Sequence, residues 1–359
     1  VDRRDSILKY ITKEQSGIEI GPWFGPLAPK REGYQCLTLD VFDTAELKRR
    51  GREEASLSEA EVDKIQDVDL LGSSTHIDKL VEVHGALGTF DYIVSSHNFE
   101  HLPNPIRFLQ GCARVLKPNG IISMAIPDRR ACFDYFRPVT KLAEWIEASL
   151  DDRSQPTFAQ EFDFATAFAS YDDDGKKTSS FHARVDPEKV SAMFNLERVF
   201  KGWMASREAN DTSYHDAHCS VFTPSSFELL IRDCAYLGLA PYEIVEISES
   251  AGNEFYAHLR VTQDAEKLHP ADYEETRNTI LRRILNEAAV TSAVSINAAD
   301  LDAMQQSQRR ERDKLRTELE AAHAKVEQLE AMLGQIQSSS SWRLTGPLRK
   351  VVTALRLRN

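Results

Sequence analysis

Five short apolar runs separated by helical stretches constrain this chain more than any other feature. The runs are 17–20 (GIEI), 34–40 (YQCLTLD), 64–71 (KIQDVDLL), 90–97 (FDYIVSSH) and 120–127 (GIISMAIP). Strands that alternate with helices are joined by crossovers, and crossovers give a parallel sheet covered on both faces. The clearest crossover lies between the last two runs. There Ile106, Leu109, Ala113 and Leu116 recur at helical spacing, and Lys117-Pro118-Asn119-Gly120 closes the helix with a positive charge, a proline and a glycine. Two later runs, 242–249 and 253–261, are separated only by Ser250-Ala251-Gly252, which predicts a hairpin. The expected fold is α/β: a doubly wound, mostly parallel seven-stranded sheet, Rossmann-like in its winding and finished by an antiparallel hairpin.

Residues 138–215 interrupt the alternation. Helical stretches (KLAEWIEASL, EKVSAMFNLERVFKGWMA) flank a polar SYDDDGKKTSS, and a helical insertion over the carboxyl ends of the strands is expected, where open α/β sheets bind ligands. The alternative is a helical outrigger with no part in a site. One domain is expected over 1–262, a helical or partly disordered connector over 263–300, a coiled coil over 301–337 and a basic amphipathic tail over 338–359. The coiled coil rests on Leu315, Leu319, Ala322, Val326, Leu329, Leu333 and Ile336, spaced alternately by four and three. It would serve a homodimer or a partner helix, or else pack back on its own domain. In the tail, Leu348, Val351, Val352 and Leu355 share one helical face, with Arg343, Arg349, Lys350, Arg356 and Arg358 supplying positive charge. Such a segment suits an anionic membrane surface or an acidic protein.

The formal net charge of −12 makes nucleic acid a poor partner. Cys36, Cys112, Cys132, Cys219 and Cys234 form no CxxC pair, which argues against a disulfide framework or a zinc ribbon and for a reducing compartment. No apolar run reaches the ~20 residues that span a bilayer, and VDRRDSILKYITKEQ is too polar for a secretory signal. The expected location is cytoplasmic, with peripheral contact at the inner membrane face through the tail.

In a doubly wound sheet the strand ends converge on one crevice. Here they carry Gly21 after the first run, Asp40 closing the second, Asp67 and Asp69 in the third, and Ser95, Ser96 and His97 ending the fourth. An acid at the end of the second strand can accept hydrogen bonds from both hydroxyls of a ribose. The stretch GIEIGPWFGPLAPK offers only Gly21 and Gly25, with Trp23 and Phe24 between and prolines around them. It lacks the G-x-G-x-x-G turn that cradles a pyrophosphate. A cofactor with a nucleoside and no phosphate fits better, and S-adenosyl-L-methionine is the common one.

From about residue 15 to 262 the chain resembles class I S-adenosylmethionine-dependent methyltransferases (EC 2.1.1), of the bacterial type-11-like kind. The most specific stretch is FDYIVSSHNFEHLPNPIRFLQGCARVLKPNGIISMAIPDRR, residues 90–130. GIEIGPWFGPLAPK, FDYFRPVT and HDAHCSVFTPSSF resemble further signatures of a subgroup. WRLTGPLR resembles a short motif that follows coiled coils in bacterial proteins of polysaccharide biosynthesis.

The resemblance implies that Glu19, Gly21 and Gly25 face the methionine part of the cofactor and Asp40 its ribose. It places Asp69 and Leu70 near the adenine, and Ser96 and His97 near the sulfonium. It further implies methylation of a hydroxyl of a sugar or cell-surface glycan precursor. Two departures stand out: Trp23 replaces a glycine common in relatives, and of two alternating histidines before Phe222-Thr223 only His218 is present, with Ser220 at the other place. These departures leave open a non-catalytic domain that serves as a scaffold.

A hydroxyl acceptor needs a base. His97 and His218 are the candidates, because an ordinary imidazole is partly neutral near pH 7; bracing and core roles are the alternatives for each. Glu100 and His101 are expected to order the loop after the fourth strand. Asp128, Arg129 and Arg130 at the crevice mouth either bind a polar acceptor or are turn residues. His215, Asp216 and His218 have no second ligand cluster at recognisable spacing, so no metal is expected. A glycosyltransferase reading lacks a convincing D-x-D site.

Overall fold

The computed structural model describes residues 2–54, 56–209, 216–262 and 269–293, together with scattered positions from 312 to 332. Its strands are β1 (Ser16–Ile20), β2 (Gln35–Asp40), β3 (Leu70–Leu71), β4 (Phe90–Ser96), β5 (Leu116–Pro127), β6 (Ala169–Asp173), β7 (Lys176–Thr178), β8 (Val190–Ala192), β9 (Tyr242–Ile247) and β10 (Glu254–Val261). Seven form one sheet in the order β3-β2-β1-β4-β5-β10-β9, parallel except for β10, which runs antiparallel to both β5 and β9. The mostly parallel sheet and its terminal hairpin are those read from the alternating runs.

Both faces of this sheet are covered, which is why its strands read as near-continuous apolar runs. Ile18, Ile20, Ile93, Ile122 and Met124 face one cluster; Tyr92, Val94 and Ala125 face a second that includes Ile7, Leu8 and Leu27. The first cluster packs under α4 (Ile77–Glu82) and α5 (Pro105–Val115). The second is closed by α1 (Arg3–Ile7), capped by Asp2 and invisible as a helix in the polar N-terminal sequence. In α5, Asn104 accepts from Arg107 N at 3.1 Å and Pro105 occupies the first turn, a start signal legible in NPIRFL.

Three elements differ from expectation. The run 64–71 contributes only Leu70–Leu71 to the sheet; α2 (Thr44–Glu53) and α3 (Glu59–Val62) precede it, and Ile65 packs with Val62 and Leu47 in a side cluster. Strand β5 starts at Leu116, so Lys117-Pro118-Asn119-Gly120 lies within the strand at a register shift against β4 rather than in a loop before it. The insertion is not purely helical. Between α6 (Leu142–Leu150), α7 (Phe158–Ala167) and α8 (Leu196–Glu208) it holds a three-stranded sheet ordered β7-β6-β8.

After α9 (Pro224–Tyr236), the region read as a helical or partly disordered connector supplies α10 (Pro270–Ala293). This helix is fastened to α9: Tyr273 Oη donates to Asp233 at 2.5 Å, Arg277 Nε at 3.1 Å, and the Tyr236 and Tyr273 rings stack at 3.9 Å. The compact unit accordingly runs from 1 to 295. Of the heptad, Leu315, Leu319, Ala322 and Val326 are helical and exposed, while Leu329, Leu333 and Ile336, like the whole 338–359 tail, lie outside the described residues. No helix among the described residues is long and apolar enough to cross a membrane.

Candidate active site

The strand order reverses between β1 and β4, and the carboxyl ends of β1, β2 and β4 open there into a cleft of about 480 Å³. That is within the range of small-molecule sites. Gly21, Asp40, Ser96 and His97 all line it, as do Trp23, Val41, Phe42, Ser74, His101 and Asp216. Backbone strain marks the same place. Gly21 turns at φ +58°, and among the described residues the two non-glycine residues in the left-handed region that are neither Asn nor Asp, Trp23 at +49° and His97 at +48°, both border the cleft. Such conformations cost on the order of 1–3 kcal/mol each and persist where surrounding structure holds them. The Trp23 ring packs edge-on to Phe24 and forms a wall; it leaves the cleft open.

Glu19 stands behind this wall rather than in it. Its buried carboxylate accepts from Leu27 N at 2.6 Å and Ala28 N at 3.0 Å, tying the far end of the glycine-proline loop back to β1. Burial pushes that carboxyl up, against the two N–H donors. Gly25 lies on the outside of the same loop and borders no cavity wall of the cleft. Asp40 closes β2, and its Oδ1 accepts from Phe42 N at 3.0 Å; burial raises its carboxyl as well.

Asp69 and Leu70 do not reach the cleft. Asp69 accepts from Thr38 N at 2.7 Å and pairs with Lys30 at 2.5 Å, while Leu70 is in the core. The side chains that flank this end of the cleft are Val41, Phe42 and Ser74.

His97 differs in character from an ordinary imidazole. Its Nε2 shares a proton with Glu254 Oε2 at 2.7 Å, and its Nδ1 faces Glu100 Oε1 at 3.5 Å. Burial alone would depress the imidazole, but Glu100 and Glu254 outweigh it and hold it up at about 9. At neutral pH it is therefore a charged donor, unsuited to take a proton from an acceptor. Glu254 is pushed up by burial and pulled further down by His97 and Arg3, to about 2. Arg3 donates to it at 2.7 and 3.0 Å and to Ser96 Oγ at 2.7 Å, so α1 reaches the site, a role that no spacing in the sequence reveals.

His218 is buried and lines neither this cleft nor the cavity beside it. Its Nδ1 meets Asp134 Oδ2 at 2.5 Å, and Asp134 is held in turn by Arg137 at 2.8 Å. Burial raises the Asp134 carboxyl, and His218 with Arg137 draws it below the usual range. The His218 ring lies edge-on to His101, centroids 4.5 Å apart, between Phe133 and Phe164. Ser220, at the place of the second alternating histidine, accepts from Trp145 Nε1 at 3.1 Å and is structural.

Asp128, Arg129 and Arg130 serve the turn after β5. Arg130 grips Asp128 at 2.6–3.1 Å, Asp128 also meets Ser250, and Arg129 donates to the Tyr135 carbonyl.

A second cavity of about 480 Å³ adjoins the first through Asp216, which belongs to both walls. The insertion builds it: Phe162 and Phe164 from α7 and Trp203 from α8 face it with Phe194, and Glu161 and Arg198 add charge.

A sheet wound in this order, with a glycine turn after its first strand and an acid at the end of its second, defines a nucleoside-binding crevice of the methyltransferase kind. A methyltransferase-domain family model matches residues 2–234, more than half of the chain, and the chain belongs to that family. Curated relatives include ubiquinone biosynthesis O-methyltransferases of Vibrio cholerae strains, 26% identical over 132 residues, which is 34% of this chain and 48% of theirs. The chain thus spans about half the length of the curated relatives it matches. Among solved structures, a SAM-dependent methyltransferase from Aquifex aeolicus is 12% identical with a TM-score of 0.36, covering 72% of this chain and 90% of that one. Another from Methanosarcina mazei is 16% identical with a TM-score of 0.34, covering 71% and 96%.

Proposed function

We propose that this methyltransferase moves the methyl group of S-adenosylmethionine to a hydroxyl on a ring-shaped acceptor, a sugar of a cell-surface glycan precursor. The observation that carries the reading is Asp216 in the wall of both cavities, which puts the polar edge of anything seated among the aromatic rings beside the cofactor cleft. The residues present fit the cofactor: Gly21 leaves the backbone open, Asp40 offers a carboxylate to the ribose hydroxyls, and Val41 with Phe42 flanks a base. Bound there, the cofactor supplies an electrophilic sulfonium methyl. The protein's share is to align the acceptor oxygen with it and to exclude water. His97, charged and held by Glu254, braces this end of the cleft.

Trp203 and Phe162 give flat faces for the C–H surface of a pyranose, with Arg198 and Glu161 at the rim for its hydroxyls. The WRLTGPLR resemblance supports the glycan choice. A phenolic acceptor is the second reading, favoured by the same aromatic lining. Incubating the full chain with methyl-labelled cofactor and two acceptor sets, lipid-linked glycans and dihydroxylated phenols, separates them. Label on glycan oxygen is expected; label in the phenols alone would replace the sugar reading. For the 338–359 segment we infer peripheral contact with an anionic membrane, from its sequence. Cosedimentation with phosphatidylglycerol vesicles should be lost when Arg349, Arg356 and Arg358 are all changed to Glu.

A further inference from the structure

Glu100 is completely buried, and among the described residues neither of its carboxylate oxygens has a hydrogen-bond partner. A buried carboxylate left in that state costs several kcal/mol unless cations compensate it. What surrounds it is a ring of imidazole nitrogens: His97 Nδ1 at 3.5 Å, His101 Nε2 at 3.7 Å and His218 Nε2 at 3.8 Å from Oε1.

The second nitrogen of each ring faces a different carboxylate. His97 Nε2 meets Glu254 at 2.7 Å, His101 Nδ1 lies 2.9 Å from Asp216, and His218 Nδ1 meets Asp134 at 2.5 Å. For His97 and His218 the carboxylate is a hydrogen-bond partner, the arrangement that fixes the tautomer of metal-ligating histidines and turns the other nitrogen's lone pair toward the ion; His101 Nδ1 has Asp216 close by but no hydrogen bond among the described residues. Glu100, His101 and His218 each offer a ligand atom, all within 4.8 Å of one another.

We propose that Glu100 Oε1, His101 Nε2 and His218 Nε2 bind a divalent transition ion of the zinc class, with Asp134 and Asp216 as the supporting carboxylates. Ligands about 2.0–2.2 Å from a tetrahedral ion stand roughly 3.3–3.6 Å apart, so the carboxylate–imidazole separations need to close by only a few tenths of an ångström. One carboxylate and two imidazoles suit zinc, iron or cobalt better than magnesium or calcium, which prefer oxygen alone. Three protein ligands leave a position open. His101 and Asp216 border the cofactor cleft, and Asp216 borders the aromatic cavity too. Resting on the hydroxyl-methylation reading above, the open position is where an acceptor hydroxyl acidifies, its proton passing to solvent. The sequence hides the site because Glu100-His101 and His218 lie far apart in the chain.

The test is metal binding by the full chain, stripped with a chelator, dialysed and titrated with Zn²⁺ or Co²⁺. One tightly held ion per chain is expected, with the visible absorption of low-coordinate Co²⁺ at a nitrogen–oxygen site. His101→Ala and Glu100→Gln should abolish both signals, and Asp134→Asn should weaken Zn²⁺ binding about 10–100-fold. His101 is only partly buried, so its variant is the one best able to fold, and a wild-type circular dichroism spectrum with a cooperative unfolding transition certifies that it has. A folded wild-type chain that takes up neither ion, or uptake undiminished by His101→Ala, overturns the proposal and leaves a cluster of imidazolium ions neutralising Glu100. Because cofactor binding is read separately, failure of this site is distinguishable from failure of the methyltransferase reading.

Discussion

Replacing Glu19 by alanine should loosen the cofactor loop from behind. The carboxylate accepts from Leu27 N at 2.6 Å and from Ala28 N at 3.0 Å, and both it and Ala28 are buried. Hydrogen bonds to a charged group contribute about 1.5–3 kcal/mol each, so two contribute roughly 3–6 kcal/mol. Burying the carboxylate works against them, as its raised pKa indicates. The net loss expected for Glu19→Ala is about 2–4 kcal/mol, since two buried N–H groups are stranded. Glu19→Gln keeps one carbonyl acceptor and should lose about half of that. Denaturant unfolding reads the stability, and calorimetry with S-adenosylmethionine reads the loop, where affinity should fall in the same order. If both variants unfold within about 0.5 kcal/mol of wild type, as surface substitutions do, Glu19 is not the tether and this reasoning is wrong.

Two further outcomes follow from the core of the domain. At Gly17 a Cβ would sit 2.1–2.4 Å from the Tyr92 ring, so Gly17→Ala must displace that ring; a loss of about 1–3 kcal/mol is expected in denaturant unfolding. His258 is buried against Ser123 Oγ at 2.9 Å, and burial lowers its imidazole to about 4. The unfolded chain, with a histidine near 6.5, binds more protons between those values, so this residue costs nothing above about 6.5 and removes stability as pH falls toward 4, by roughly 3 kcal/mol at most. His258→Gln should flatten the stability profile over that window, measured by urea midpoints at half-unit steps; an unchanged slope would refute the assignment.

Much of the sheet was legible because burial on both faces leaves a direct trace: Tyr92, Ile93 and Val94 are all apolar since alternate residues feed two cores. Strand β3 was over-read because it pairs with β2 through only Leu39–Leu70 and Asp40–Leu71, too little to impose a pattern on 64–69. The insertion's small sheet was missed because β7 is a polar, exposed strand, KKT, with no apolar alternation. In the site, Gly21, Asp40 and His97 were placed together by topology alone, since strand ends in a wound sheet converge whatever the loops do. Glu19 was misplaced for a related reason. Strand position says which residue is near the crevice, but whether its carboxylate faces a ligand or two backbone amides depends on the return path of the loop. The charged state of His97 depends on Glu254, and the surroundings of Glu100 on His218, contacts between segments far apart in sequence.

The account's central claim is that the ends of β1, β2 and β4 hold the adenosyl cofactor. Isothermal calorimetry of S-adenosylmethionine against the full chain and its Asp40→Ala variant tests it most directly. One site per chain is expected, weakened roughly 10–150-fold in the variant, the equivalent of about 1.5–3 kcal/mol for a charge-assisted hydrogen bond. No binding by the folded wild-type chain, or equal affinity in the two proteins, would contradict it.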